Sequence, residues 1–125
     1  MLNKHDTLLV TGASRGIGKA MYKAVVSEFK QVVLLGRNIE KMKLEFECLE
    51  NVRINCIDCD LSSRSVTEAI IKQLAISDFN FTGIIHAAGD GAPHRYGDFD
   101  IDNFERLNYL HLGAFMEILL SLIHI

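Results

Sequence analysis

Apolar and polar positions along the chain follow two alternating periods. "TLLVTG" (7–12) and "QVVLLG" (31–36) are short, nearly continuous apolar runs ending at glycine, the pattern of strands buried on both faces. "VRINCID" (52–58) alternates Val52, Ile54 and Cys56, and "GIIHAAG" (83–89) supplies a fourth strand. Between the strands the period lengthens to that of a helix. Ile17, Met21, Ala24, Val25 and Glu28 are spaced as one mostly apolar face. Ile39, Met42, Phe46 and Leu49 form a second, with Asn38 as N-cap. Val66, Ile70 and Leu74 form a third, preceded by "SVTE" (65–68) as a capping box. The last face runs Phe104, Leu107, His111, Phe115, Ile118 and Leu122, and Asp100, Asp102 and Glu105 suit the positive end of its dipole.

The order β-α-β-α-β-α-β-α, joined by right-handed crossovers, specifies an α/β fold. It is a Rossmann-type doubly wound parallel sheet of about four strands with flanking helices, the sheet incomplete. Residues 1–125 make one domain, long enough to bury a core. Nearly half the residues are apolar and the chain has one proline, which excludes a disordered class. A net charge of −3 gives no electrostatic basis for nucleic-acid or membrane-surface partners. No apolar run approaches the roughly 20 residues of a membrane span. "MLNKHDTLLV" lacks the features of a signal peptide, so a cytoplasmic location is expected. Cys48, Cys56 and Cys59 are an odd set with no second metal-spaced pair, and read as reduced packing residues. No metal site is expected.

The candidate chemistry lies in "TGASRGIG" (11–18), which carries Gly12, Gly16 and Gly18 between the first strand and the first helix. One glycine permits a sharp turn, one lets a diphosphate approach the backbone, and one lets helix and strand pack closely. The helix start aims free N–H groups at that anion. With "GRN" after the second strand, Asp60-Leu61 after the third, "HAAG" (86–89) and Asn108 in the last helix, the chain resembles the short-chain dehydrogenases/reductases along essentially its whole length. The resemblance implies that Gly12, Ser14, Arg15, Gly16, Ile17 and Gly18 line the diphosphate and adenosine ribose of a dinucleotide. It also implies that Asp60 and Leu61 border adenine, and that Ala87, Ala88 and Gly89 back the nicotinamide side.

An NAD site places an acid near the end of the second strand to hold the ribose 2′-hydroxyl. Here that position is Gly36, followed by Arg37 and Asn38. Arg37 and Arg15 suit a 2′-phosphate, at roughly 1.5–3 kcal/mol per charge-assisted hydrogen bond. NADP(H) is therefore expected in preference to NAD(H).

The sequence departs from the family at two places. "HAAG" replaces an N-N-A-G, which puts in question a side-chain link bracing the central strands; His86 reads as a satisfied, half-buried histidine rather than a base. The family's catalytic tyrosine and the lysine four residues after it have no counterpart, since Tyr22, Tyr96 and Tyr109 do not fit that motif. By the resemblance, Asn108 alone represents the catalytic set. The expectation is the cofactor-binding front of an NADP-dependent oxidoreductase acting on a small alcohol or carbonyl, inactive as the isolated 125 residues. The alternative is a non-catalytic NADP(H)-binding or sensing module. The last helix resembles the one that pairs subunits in the family, and its stripe serves equally as a homo-oligomer interface or as core. An open edge at "GIIHAAG" is expected to favour association.

Overall fold

A computed structural model describes residues 5–14, 16–46, 51–89, 97 and 99–123, the side chains of 39 and 44–46 excepted. Four parallel strands, β1 (His5–Thr11), β2 (Phe29–Gly36), β3 (Arg53–Asp58) and β4 (Phe81–His86), lie in the order β3-β2-β1-β4. The order reverses at β1, and the crevice between β1 and β4 opens at their C-terminal ends. That switch point is where open α/β sheets bind ligands.

Both faces of the sheet are covered, which explains the unbroken apolar runs. Leu8, Val10, Val32 and Leu34 pack under α1 (Gly16–Val25) and α2 (Ile39–Phe46) with Tyr22, Val26 and Met42. Leu9, Val33 and Leu35 face the other layer. There α3 (Arg64–Ala75) and α5 (Ala114–Leu122) contribute Ile71, Leu74, Ala114, Ile118 and Leu122. Cys56 packs in the first layer and Cys59 in the second, so the C-x-x-C spacing brings no pair of thiols together. Cys48 and Leu49 lie outside the described residues.

Three predicted helix faces need correction. In α1, Ile17 and Met21 are exposed, at 78% and 47%, and Ala24 with them, while Gly18 and Tyr22 are buried. The helix is rotated by one residue because Gly18 sits directly on Gly12, where a β-carbon would collide with the Gly12 carbonyl. In α3 the cap is Ser63, whose Oγ accepts from Val66 N–H at 3.4 Å, not a box begun by Ser65. Thr67, Ile71 and Leu74 are buried and Val66 is exposed. At the start of α2 the Asn38 carbonyl accepts the first helical bond, from Met42 N–H at 3.1 Å, the position of the predicted N-cap residue.

The last predicted helix is three pieces: α4 (Ile101–Asn108), a π turn (Tyr109–Gly113) and α5. Asp100 caps α4, its carboxylate accepting from Asp102 N–H at 3.0 Å. In the π turn Ala114 N–H reaches back five residues to Tyr109 O, inserting one residue into the helical ladder. The buried row is consequently Leu110, Ala114, Ile118 and Leu122, and the predicted core positions Phe104 and His111 are exposed. Among the described residues, no helix is long and apolar enough to cross a membrane.

Candidate functional site

The β1–α1 turn gives each glycine of "TGASRGIG" a separate task. Gly12 has φ +72°, and a β-carbon there would collide with the backbone of Ala87 and Ala88, so β1 and the β4 end loop touch without side chains. Gly16 opens α1 at φ +62° and has open space where a β-carbon would stand. Gly18 packs against Gly12 and against the Ala87 methyl. The helix start thus carries bare backbone beside free volume, with the positive end of the α1 dipole behind it.

Three hollows surround this turn, each with Gly12 in its lining. The first, about 140 Å³, is lined by Gly12, Ser14, Gly36, Arg37, Asp60 and Leu61, and is closed by Ala88, Gly89, Arg106 and Leu110. The second, about 250 Å³, shares Gly12, Ser14, Gly36 and Arg37 but runs over the start of α2, past Asn38 and Lys41. The third, about 530 Å³, is bounded by Gly12, Gly16, Ile17, Gly18, Met21, His86 and Ala87. Exposed Ile17 and Met21 are therefore the apolar lip of a hollow rather than misplaced core.

Charge divides the first two hollows. Asp60 Oδ1 accepts from Ser62 Oγ at 2.7 Å and Ser62 N at 3.0 Å. The Ser62 hydroxyl, its N–H, and then Arg37 and Arg106 hold the Asp60 carboxyl below the usual range despite some burial. Asp60 is thus an anion with fixed orientation in the first hollow, Lys41 is a cation in the second, and Arg37 lines both. Arg106 is held by Asn103 Oδ1, which accepts from Nε at 3.3 Å and Nη2 at 3.1 Å.

The end of β4 is tied down by hydrogen bonds. His86 Nδ1 lies 2.9 Å from Thr11 Oγ1, and Nε2 lies 3.2 Å from Leu110 O in the π turn. Ala88 N–H donates to the same Thr11 Oγ1 at 3.2 Å. The ring stacks on Phe115, with centroids 5.3 Å apart. The half-buried, satisfied histidine expected from sequence is what the fold contains. A link between the central strands, questioned when N-N-A-G became "HAAG", is present as His86–Thr11.

The fold brings together Gly12, Ser14, Gly16, Ile17, Gly18, Arg37, Asn38, Asp60, Leu61, Ala87, Ala88 and Gly89. Arg15 lies outside the described residues. Asn108 is exposed at the end of α4 and is not among the residues lining these hollows, whereas Leu110 lines the first. The π turn places Leu110, not Asn108, toward the sheet. Sequence reasoning missed Lys41, Ser62 and Arg106. Lys41 follows Arg37 by four residues, and Arg106 precedes Leu110 by four, both spacings that put side chains on one side of a helix start or stretch. Tyr22 is fully buried, and burial pushes its hydroxyl up to about 12. Tyr109 donates to Glu117 Oε2 at 2.8 Å, and burial followed by that carboxylate raises its pKa. Neither tyrosine faces the hollows, and Tyr96 lies outside the described residues. No cluster of metal-ligating side chains occurs among the described residues.

The family profile of the short chain dehydrogenases matches residues 6–123. An uncharacterized oxidoreductase of Staphylococcus aureus (strain USA300) is 28% identical over 102 residues, covering 79% of this chain and 43% of the relative. A short-chain dehydrogenase from Sphingobium yanoikuyae, solved in complex with NADPH, superposes with a TM-score of 0.78 at 22% identity, over 94% of this chain and 46% of that one. A metagenomic short-chain oxidoreductase in complex with NADP gives 0.80 at 24% identity, over 96% and 56%. The chain spans about half the length of these relatives.

Proposed function

Because the chain belongs to the short chain dehydrogenase family, we propose that it carries the cofactor-binding part of an NADP(H)-dependent oxidoreductase interconverting an alcohol and a carbonyl. The observation that carries this reading is the branch point at Gly36 and Arg37. An adenosine 2′-phosphate is itself branched at the ribose, with a base on one arm, a phosphate on the second and the diphosphate on the third. The hollows offer a carboxylate arm at Asp60, a cationic arm at Arg37 and Lys41, and bare main chain at Gly12 and Gly16. The NADPH and NADP complexes of two fold neighbours support the same choice.

In this reading, Gly16 and the α1 N-terminus receive the diphosphate. Asp60, kept anionic by Ser62, accepts from the exocyclic amine of adenine. Arg37 and Lys41, with Asn38 beside them, neutralise the 2′-phosphate, where an acid would repel it. Arg106 borders the base from α4. Ala87, Ala88 and Gly89 form the wall behind the nicotinamide, which supplies or accepts the hydride. Tyr22 is buried and Tyr109 is bonded to Glu117, so neither described tyrosine is offered to a substrate oxygen, and the isolated chain is proposed to bind without turnover. The exposed row Leu112, Met116 and Leu120 supports pairing through the last helix. The separation of Cys56 from Cys59 fits a reducing compartment, with the cytoplasm as the proposed location.

The test is a titration of NADPH and NADH against wild type, Arg37→Asp and Lys41→Ala. Arg37→Asp is expected to weaken NADPH at least about tenfold, one charge-assisted hydrogen bond or more, and NADH far less. Lys41→Ala should act in the same direction. An unchanged NADPH affinity in Arg37→Asp overturns the assignment.

A further inference from the structure

Two charged side chains of opposite sign stand at one end of the first hollow. Its lining overlaps that of the second at Gly12, Ser14, Leu35, Gly36 and Arg37, whereas Asp60 and Arg106 belong to the first alone. The shared part is where the ribose branches in the reading above. A base entering the first hollow from there meets Asp60 and Arg106 with the edge farthest from its sugar. On adenine that edge carries the exocyclic amine, a donor, beside ring nitrogen N1, an acceptor. Both side chains are held by their own neighbours. Ser62 donates twice to Asp60 Oδ1, from Oγ at 2.7 Å and from its N–H at 3.0 Å. Asn103, one turn earlier on α4, accepts through Oδ1 from Arg106 Nε at 3.3 Å and Nη2 at 3.1 Å. That takes two of the five N–H groups of the guanidinium and fixes the plane of its fork. The Asp100 cap anchors α4, and Leu110, four residues past Arg106, lines the same hollow.

We propose that Arg106 is a specificity-determining residue for the base of the cofactor: it donates to N1 of adenine while Asp60 accepts from the amine, so that the pair admits a 6-aminopurine and rejects a 6-oxopurine. The proposal rests on the dinucleotide reading above. An ionised carboxylate can only accept and a guanidinium can only donate, so the two present an acceptor beside a donor, the complement of the amine and N1. Ser62 first, then the fields of Arg37 and Arg106, hold the Asp60 carboxyl below its usual range, so the guanidinium is within electrostatic reach of the carboxylate. A 6-oxo base reverses both partners. Its carbonyl oxygen faces the carboxylate, and its N1–H faces the guanidinium. A site built from hydrogen-bonding groups rejects such an analogue strongly, because its own polar groups are left unpaired.

The experiment titrates NADPH and its hypoxanthine analogue, in which an oxo group replaces the 6-amino group, against wild type and Arg106→Met at neutral pH. Wild type is expected to prefer NADPH at least about tenfold, the worth of one hydrogen bond to a charged group. In Arg106→Met, NADPH should weaken about tenfold. The analogue, relieved of a donor facing its N1–H, should bind unchanged or more tightly, so the preference narrows. An equal loss for both ligands, the result if Arg106 only steadies the C-terminal turn of α4, overturns the proposal. If Arg106→Met fails to fold, Arg106→Lys keeps the charge at the helix end without the fork that Asn103 holds. The preference should then narrow at least about threefold, and an unchanged preference overturns the proposal. Binding of both ligands to wild type without preference removes the role of Arg106 and leaves the dinucleotide reading standing. If wild type binds neither ligand, that reading fails, and this proposal with it.

Discussion

At the scale of single residues, the glycines differ in what they tolerate. A methyl on Gly12 has nowhere to go, since the Ala87 and Ala88 backbone occupies its place, and φ there is +72°. Gly12→Ala should cost about 3 kcal/mol or more, the upper end of overpacking effects. Gly16 has the same backbone hand but open space, so Gly16→Ala should cost only the left-handed penalty of about 1–2 kcal/mol. Urea denaturation of the two variants checks this, and equal losses would contradict the division of tasks. The glycine spacing was legible in the sequence because backbone conformation and close approach leave few alternatives. Which glycine did which task was not legible, because that depends on Ala87, which lies far along the chain. The placement of Asn108 was not legible for a related reason. A side chain's direction immediately before a π turn cannot be read from a constant helical period.

At the scale of elements, strands and helices fell where the apolar periods put them, while the helix faces did so only in part: Met42, Leu74, Ile118 and Leu122 are buried as expected, and Ile17, Val66 and Phe104 are not. The α1 face was displaced by one residue because contact between Gly18 and Gly12 outranks the burial of Ile17. In the α4–α5 stretch, one inserted residue exchanged His111 for Leu110 in the buried row. For α3, both Ser63 and Ser65 are plausible caps by composition, and only the backbone decides: Ser63 is extended, with φ −94° and ψ 114°, and its Oγ accepts from Val66 N–H. Ser63→Ala should therefore destabilise by about 1 kcal/mol. Ser65→Ala should change stability by no more than a few tenths, as expected for an exposed residue. Thermal denaturation distinguishes them; the reverse ranking would restore the capping-box reading.

At the scale of the whole molecule, the strand order β3-β2-β1-β4 places every component of the site at one end of the sheet. The glycine turn, the Arg37 loop, Asp60 and the β4 loop are separated in sequence and meet because each follows the C-terminal end of a parallel strand. His86 gives the fold a pH dependence of its own. Burial holds its pKa below that of an unfolded-chain histidine, about 6.5. The unfolded state therefore takes up the proton first as pH falls. Stability from the neutral ring is complete above about pH 6.5 and is lost below it, toward the lower folded value. Asp60, whose folded pKa is lowered, loses its contribution only in the more acidic range of carboxylates. Melting temperatures should fall from pH 7 to about pH 5.5 in wild type and much less in His86→Gln; parallel decreases would contradict this.

The account's central claim is that bare main chain at Gly12 and Gly16 and the cations Arg37 and Lys41 together receive a dinucleotide bearing a 2′-phosphate. Isothermal titration of the wild-type chain with NADPH and with NADH tests it most directly. NADPH is predicted to bind at least about tenfold more tightly than NADH, the worth of one charge-assisted hydrogen bond or more. Equal affinities, or no heat of binding from either cofactor at millimolar concentration, would contradict it.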